Sequence, residues 1–203
     1  MGMKGDGTRL DRPRVLLLGD SIRMSYQPLV AGQMADRAEV VGPEDNGRWA
    51  AYTREHLPRW LALWGTPDIV HWNNGLWDCG HWSDRDPEQI PLEDYVTTLR
   101  QVLNDLRALT SSIIWATITP IDENRTRGQY GFNYSNAEID TYNAAALALM
   151  AAEDVAVNDL HAIVSADLAD NLDEDLLHLS EQGKQRCATA VTAAIDRLVQ
   201  QPG

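Results

Sequence analysis

The chain has 203 residues, 44% of them hydrophobic and 23% charged, which is enough for one sizeable core and short for two ordinary domains. Its 17 Lys and Arg against 30 Asp and Glu give a net charge of −13, a field that argues against nucleic acid or an anionic membrane surface as partner. The start, MGMKGDGTRLDRPR, is polar and no run approaches the roughly 18 apolar residues of a membrane span, so the expectation is a soluble, cytoplasmic, single-domain protein over residues 1–203, with 1–13 a flexible extension.

Residues 14–18 read RVLLL, a continuous apolar run that suits a strand buried on both faces. A helix is expected over 22–37, a short strand over 38–41 (AEVV), and a second helix over 51–64. Pro28 and Pro58 are expected at first turns or kinks of these helices. A third strand follows at 68–72 (DIVHW). Leu92, Tyr95, Val96, Leu99, Val102, Leu103, Leu106 and Leu109 then recur at steps of three and four, the stripe of an amphipathic helix. A fourth strand at 112–118 (SIIWATI) precedes a long polar and aromatic loop over 119–134. Ser135-Asn136-Ala137-Glu138 has capping-box spacing ahead of an Ala-rich helix to about residue 153. The last strand is VAV at 155–157, and Cys187, Val191, Ile195 and Leu198 share one face of a terminal helix.

Five β-α units in succession predict an α/β fold, a three-layer α/β/α sandwich with a flavodoxin-like parallel sheet in the order 2-1-3-4-5. Ligands of such sheets bind beyond the carboxyl ends of the strands, so the βα loops are where chemistry is expected. Cys79 and Cys187 fit no metal or redox spacing and read as small buried residues. His56, His71, His81 and His161 form no H-x-H or H-E-x-x-H pattern, and no phosphate-binding glycine loop follows a strand. Neither metal, nucleotide nor any other cofactor is therefore expected.

Ser21 follows the first strand through Gly19-Asp20 and opens a helix. There it is either a plain N-cap or a nucleophile whose oxyanion the helix N-terminus stabilises. Asp175-Leu-Leu-His178 sets a carboxylate three residues from an imidazole, so that the acid can orient the ring as a base, although Asp173 and Glu174 crowd the same stretch. Asn73 and Asn74 end the third strand as turn formers or amide donors, and Asn46-Gly47 and Gly42-Pro43 offer glycines after the second.

Together these pieces fall on one edge of the sheet, and the sequence here resembles the SGNH hydrolase superfamily, the GDSL-type esterases, over about residues 15–198. The resemblance rests on LLLGDSI, VHWNNGLWD, NAEIDTYNAAAL followed by VAVNDL, and DLLHLSEQG. It implies Ser21 as nucleophile, His178 as general base and Asp175 as its orienting acid. The implied oxyanion donors are the Ser21 N–H, a backbone N–H at Gly47 or Gly42, and the side-chain amide of Asn73, with Asn74 as the alternative. The third block departs from the family's G-x-N-D, because His71-Trp72-Asn73-Asn74-Gly75 lacks the leading glycine.

Trp49, Trp77, Trp82, Tyr130, Phe132 and Tyr134 lie near Arg48, Arg125 and Arg127 in the same loops, a mixture suited to a sugar. Substrate contacts are expected from Trp77, Trp82, Arg48 and Tyr130. The function expected is a serine esterase for small acyl (O-acetyl) esters of a small molecule or oligosaccharide, acting through a Ser-His-Asp triad and an acyl-enzyme. A lipid-directed esterase or thioesterase, and a non-catalytic carbohydrate-binding protein on the same fold, are the alternatives; the oligomeric state is left open.

Overall fold

The computed structural model describes residues 12–82, 86–123 and 133–200. Strands β1 (Arg14–Leu18), β2 (Glu39–Val41), β3 (Ile69–Trp72), β4 (Ile113–Ala116) and β5 (Ala156–Asn158) form one parallel sheet in the order β2-β1-β3-β4-β5. β3 and β4 are buried throughout and β1 in all but its first residue, because helices cover both faces, and that is why they read as unbroken apolar runs. The edge strands β2 and β5 have three residues each and are partly exposed, as short edges are in sheets that avoid pairing with other chains.

The helices are α1 (Ser21–Gln33), α2 (Ala50–Trp64), α3 (Leu76–Cys79), α4 (Leu92–Arg107), α5 (Asn136–Ala152), α6 (Leu160–Ser165), α7 (Leu168–Asn171) and α8 (Glu181–Val199). α1 packs on α8, which α6 and α7 also touch, while α2, α4 and α5 pack in a row as the other layer. The apolar stripe of α4 buries Tyr95, Leu99, Val102, Leu103 and Leu106, a gross gain of roughly 10 kcal/mol at the usual value per buried side chain. Glu93 and Asp94 in its first turn and Arg107 in its last match the helix dipole. Ser135 caps α5 through the Glu138 N–H, and Ser180 caps α8 through the Gly183 N–H.

The structure departs from the sequence expectation in local ways. α1 ends at Gln33 rather than 37, and of the first-turn or kink positions expected for Pro28 and Pro58 the first is excluded, because both sit inside α1 and α2. β4 ends at Ala116 although the apolar run continues: the Thr117 N–H still donates to Asn158 O of β5 at 3.2 Å, but from Ile118 on the chain pairs with a side chain. The Ile118 N–H donates to Asn143 Oδ1 at 2.8 Å, and Asn143 Nδ2 donates to Ile118 O at 3.0 Å. The short helices α3, α6 and α7 carry too little periodicity to be read in advance. Cys79 and Cys187 are buried free thiols, and no described helix is long and apolar enough to cross a membrane.

Gly183 shows how α8 seats the segment before it. A Cβ there would lie 2.1 Å from Asn171 O, the carbonyl that also accepts the Ser180 N–H at 3.0 Å. Gly183→Ala gains about 1 kcal/mol of helix propensity, but the clash is with backbone that cannot rotate away, and overpacking costs about 1–3 kcal/mol. We expect a net loss of stability in urea melts. A net gain contradicts the close approach of α8 to Asn171.

Candidate active site

β1 and β3 are neighbours with Leu18 opposite Trp72, and the sheet reverses its winding between them, so the loops after the two strands open a crevice side by side. Gly19 turns the first loop at φ +154°, and a Cβ on it would lie 2.8 Å from Arg23 Cβ and 3.5 Å from Asn73 O. Asp20, not Ser21, is the cap of α1, its Oδ1 accepting the Ile22 N–H at 2.9 Å. Ser21 is thereby the first helical residue and its hydroxyl is released from capping. Burial pushes the Asp20 carboxyl above its ordinary range against the pull of that N–H and of Arg23 and His178, and its Oδ2 has no partner among the described residues.

The opposite wall is a tight loop between α7 and α8. Leu172 and Leu179 bridge antiparallel, the Asp173 N–H donates to His178 O at 2.8 Å, and Leu176 takes a left-handed φ of +61°. The Leu176 carbonyl accepts the Asp122 N–H at 3.0 Å, which ties this loop to the one after β4. Asp175 Oδ1 accepts the N–H groups of Leu177 and His178 at 3.0 and 2.8 Å, and Oδ2 lies 2.7 Å from His178 Nδ1. Burial pushes this carboxyl up, but the His178 and Leu177 N–H groups and the His178 ring outweigh it and hold Asp175 at about 2. Asp173 Oδ1 instead accepts the Glu174 N–H, so of the three neighbouring acids it is Asp175 that reaches the ring. His178 Nε2 stands 2.9 Å from Ser21 Oγ. An ionised Asp175 fixes the proton on Nδ1, which leaves the Nε2 lone pair facing the hydroxyl.

The two asparagines after β3 separate by their partners. Asn74 is fully buried, with Oδ1 accepting from Trp72 Nε1 at 2.7 Å and Nδ2 donating to Arg48 O and Thr53 Oγ1, each at 3.0 Å. Both of its N–H groups are committed, which removes it as a donor to substrate. Asn73 Nδ2 donates to Ala116 O at 2.8 Å and carries a second N–H. The Ser21 N–H lies in the first turn of α1, where a helix leaves its N–H groups without intrahelical partners.

Of the two glycines, Gly42 packs beside Gln27 and Leu17 O, more than a helical turn along α1 from Ser21, whereas Gly47 lies against Gly19. A Cβ on Gly47 would lie 2.5 Å from Gly19 O. The Gly47 N–H, however, is not turned to the crevice as a free donor. It donates to Gly19 O at 3.0 Å.

Two residues here escape sequence reasoning. Arg23 is buried, and donates to Gly19 O from Nε at 3.4 Å and NH2 at 3.2 Å, to Pro43 O at 2.7 Å, to Asp45 O at 2.9 Å and to Gln27 Oε1 at 2.7 Å. Burial lowers it to about 10, which leaves it cationic at neutral pH. The available signal was an arginine on the same α1 face as Ile22 and Tyr26. Asp78 is also buried and accepts the Ala50 N–H at 3.0 and 3.3 Å, fixing the start of α2 against α3.

At the starts of α2 and α3, Trp49 sits 6.4 Å from Trp77 and 5.6 Å from Tyr52 between ring centroids, and the exposed Arg48, at φ +48°, lays its guanidinium 4.8 Å over Tyr52. Trp82 is 62% exposed on the segment where His81 bridges Asn133. Tyr130, with Arg125, Arg127 and Phe132, lies outside the described residues. No group of His, Cys, Asp and Glu able to hold a metal occurs among the described residues.

The profile of the GDSL-like lipase/acylhydrolase family matches residues 17–186. Among solved structures, a lipase/acylhydrolase from Enterococcus faecalis superposes with a TM-score of 0.76 at 19% identity, covering 94% of this chain and 100% of that one. The acetyl xylan esterase AlAXEase gives 0.74 at 18% identity over 90% of this chain and 99% of its own. Axe2, an acetylxylan esterase from Geobacillus stearothermophilus, gives 0.68 at 18% identity over 94% and 95%. No curated protein matches the sequence.

Burial pushes Asp78 up to about 7 although the Ala50 N–H pulls it down, so between roughly pH 4 and 7 the folded state holds a proton that the unfolded chain releases. Stability from this group is complete at low pH and lost as pH rises through that window. Asp78→Asn keeps the acceptor and removes the titration. Its melting temperature should gain on wild type between pH 4 and 8, and parallel profiles contradict a buried, uncharged Asp78.

Proposed function

The chain belongs to the GDSL-like lipase/acylhydrolase family and is a carboxylic ester hydrolase, and from that premise we propose that it removes small acyl groups, O-acetyl above all, from carbohydrates through Ser21, His178 and Asp175. The observation that carries this reading is the hydrogen-bonded chain from Ser21 Oγ to His178 Nε2 and from His178 Nδ1 to Asp175 Oδ2, with the capping of α1 delegated to Asp20.

In the proposed reaction Ser21 Oγ attacks the ester carbonyl as its proton passes to His178 Nε2, and ionised Asp175 stabilises the imidazolium. The tetrahedral oxyanion forms at the N-terminus of α1, beside the Ser21 N–H and the second N–H of Asn73. His178 then gives its proton to the departing alcohol. Water, deprotonated by the same imidazole, attacks the acyl-enzyme, and collapse of the second tetrahedral state returns the proton to Ser21 and releases the acid.

Support for a sugar as the alcohol comes from the segments that follow β2 and β3, where Trp49, Trp77, exposed Trp82 and Arg48 offer flat faces and donors to hydroxyl-rich groups. Two of the solved relatives carry acetyl xylan esterase as their description, which favours the same class. A long acyl chain needs an apolar groove, since each buried methylene contributes only about 0.8 kcal/mol, and the loops after β2 and β3 carry polar and aromatic residues rather than an apolar run. A non-catalytic sugar-binding role leaves the serine–imidazole–carboxylate alignment without purpose.

Ser21→Ala and His178→Ala should each remove nearly all ester hydrolysis, and the double variant should be scarcely slower than either, because nucleophile and base act as a unit. Losses that multiply indicate independent roles and contradict the proposal.

Across p-nitrophenyl acetate, butyrate and octanoate, kcat/KM should be highest for acetate and fall steeply by octanoate, and acetate should be released from acetylated xylan fragments. Octanoate equal to or better than acetate, with no release from any acetylated sugar, contradicts the carbohydrate reading and favours a lipid or thioester substrate.

A further inference from the structure

Gly19 O accepts three donors, the Gly47 N–H at 3.0 Å and Arg23 Nε and NH2 at 3.4 and 3.2 Å, although a carbonyl offers only two lone pairs. The carbonyl therefore keeps a partner if one donor leaves. It is the Gly47 N–H that can leave, because the guanidinium is held in place by Pro43 O, Asp45 O and Gln27 Oε1. The chain around Gly47 is pinned on its far side as well. Thr53 Oγ1 donates to Gly47 O at 2.9 Å, the Arg48 N–H to Asn46 Oδ1 at 2.8 Å, and Asn74 Nδ2 to Arg48 O at 3.0 Å. These contacts hold the following peptides and leave the Asn46–Gly47 peptide anchored to Gly19 O, two residues from Ser21.

We propose that Arg23 is a positioning residue for the oxyanion site: its guanidinium keeps Gly19 O satisfied, so that the Gly47 N–H can tilt from that carbonyl to the oxyanion formed on Ser21. Without Arg23, the same tilt leaves a buried carbonyl unpaired, with its full desolvation penalty, and the N–H stays where it is. Because the guanidinium is charged and forked, it can bridge the first loop and both carbonyls flanking Glu44 in the second at once, which a single ammonium cannot do. The device thus moves a donor onto the substrate only when negative charge develops there, the condition under which binding energy lowers the barrier rather than KM.

This inference rests on the serine-hydrolase reading above, and its test separates the two. Diethyl p-nitrophenyl phosphate transfers its phosphoryl group to an activated serine with loss of p-nitrophenolate, and leaves a P=O oxygen where the oxyanion would sit. In 15N-labelled wild type, adduct formation should move both the Ser21 and the Gly47 amide protons downfield. In the adduct of Arg23→Met the Ser21 amide should move and that of Gly47 should not. Arg23→Met should lose about 10²-fold in kcat with KM little changed, the size of one oxyanion donor, and Arg23→Lys should recover part of it.

A wild-type adduct in which the Ser21 amide shifts and the Gly47 amide does not overturns the role of Arg23 while leaving the serine assignment intact. Full kcat in Arg23→Met overturns it too. Absence of any adduct on wild-type Ser21 overturns both readings. Should Arg23→Met fail to fold, Arg23→Lys takes its place: its adduct should show a reduced Gly47 shift and its kcat should fall with KM little changed, and a full Gly47 shift with full kcat overturns the proposal.

Discussion

The arrangement of the crevice depends on how closely the first three βα loops approach one another at Gly19. That residue has no side chain to hold the loops apart, its φ of +154° suits glycine, and its carbonyl is the point on which both the second loop and the first turn of α1 converge. Any Cβ at Gly19 or Gly47 falls within 2.8 Å of a neighbouring atom, so the approach is set by the absence of atoms as much as by attraction. The attraction is supplied by Arg23. A buried cation is costly on its own, and here its charge is met by three backbone carbonyls and by Asp20 close by.

From that convergence the rest of the site follows by division of labour. Asp20 caps α1, so Ser21 does not have to. Asn74 is tied to Trp72, Arg48 and Thr53, holding the third loop against the second and leaving Asn73 to face the crevice. Asp78 fixes the start of α2 from below. The acid and the imidazole arrive from the far end of the chain on one short loop, closed at its base by the Leu172–Leu179 bridge and by Asn171 O, so their mutual geometry is built locally and delivered to Ser21 as a unit.

The chain states some of this openly and conceals the rest. β1, β3 and β4 are legible because strands covered on both faces must be apolar throughout, and α4 and α8 because a half-buried helix must repeat at three and four. The ends of α1 and of β4 are less so: β4 stops where the side chain of Asn143, distant in sequence, takes over the backbone pairing of Ile118. Within the site, Gly-Asp-Ser after the first strand and D-x-x-H before the last helix are each weak alone, and Ser21, Asp175 and His178 stand out only through their joint occurrence and the family resemblance that it carries. Asn73 and Asn74 are indistinguishable in sequence, since one register step exchanges a crevice position for a buried one. Gly42 and Gly47 are equally ambiguous until Gln27 is found beside one and Gly19 beside the other. Arg23 is hidden for a different reason. A long cation on a helix ordinarily points to water, and only the position of two loops shows that this one has carbonyls to meet.

The central claim is that the Ser21 hydroxyl, aligned by His178 and Asp175, forms a covalent acyl intermediate. The most direct measurement is mass spectrometry of the protein quenched in acid within milliseconds to seconds of mixing with p-nitrophenyl acetate, followed by peptide mapping. The account predicts an acetyl group on the peptide containing Ser21, appearing in step with a burst of p-nitrophenolate wherever deacylation limits turnover, and absent from His178→Ala. Turnover with no acyl group at Ser21 under conditions where a burst is seen, or an acetyl group carried by another residue that accounts for the burst, contradicts it.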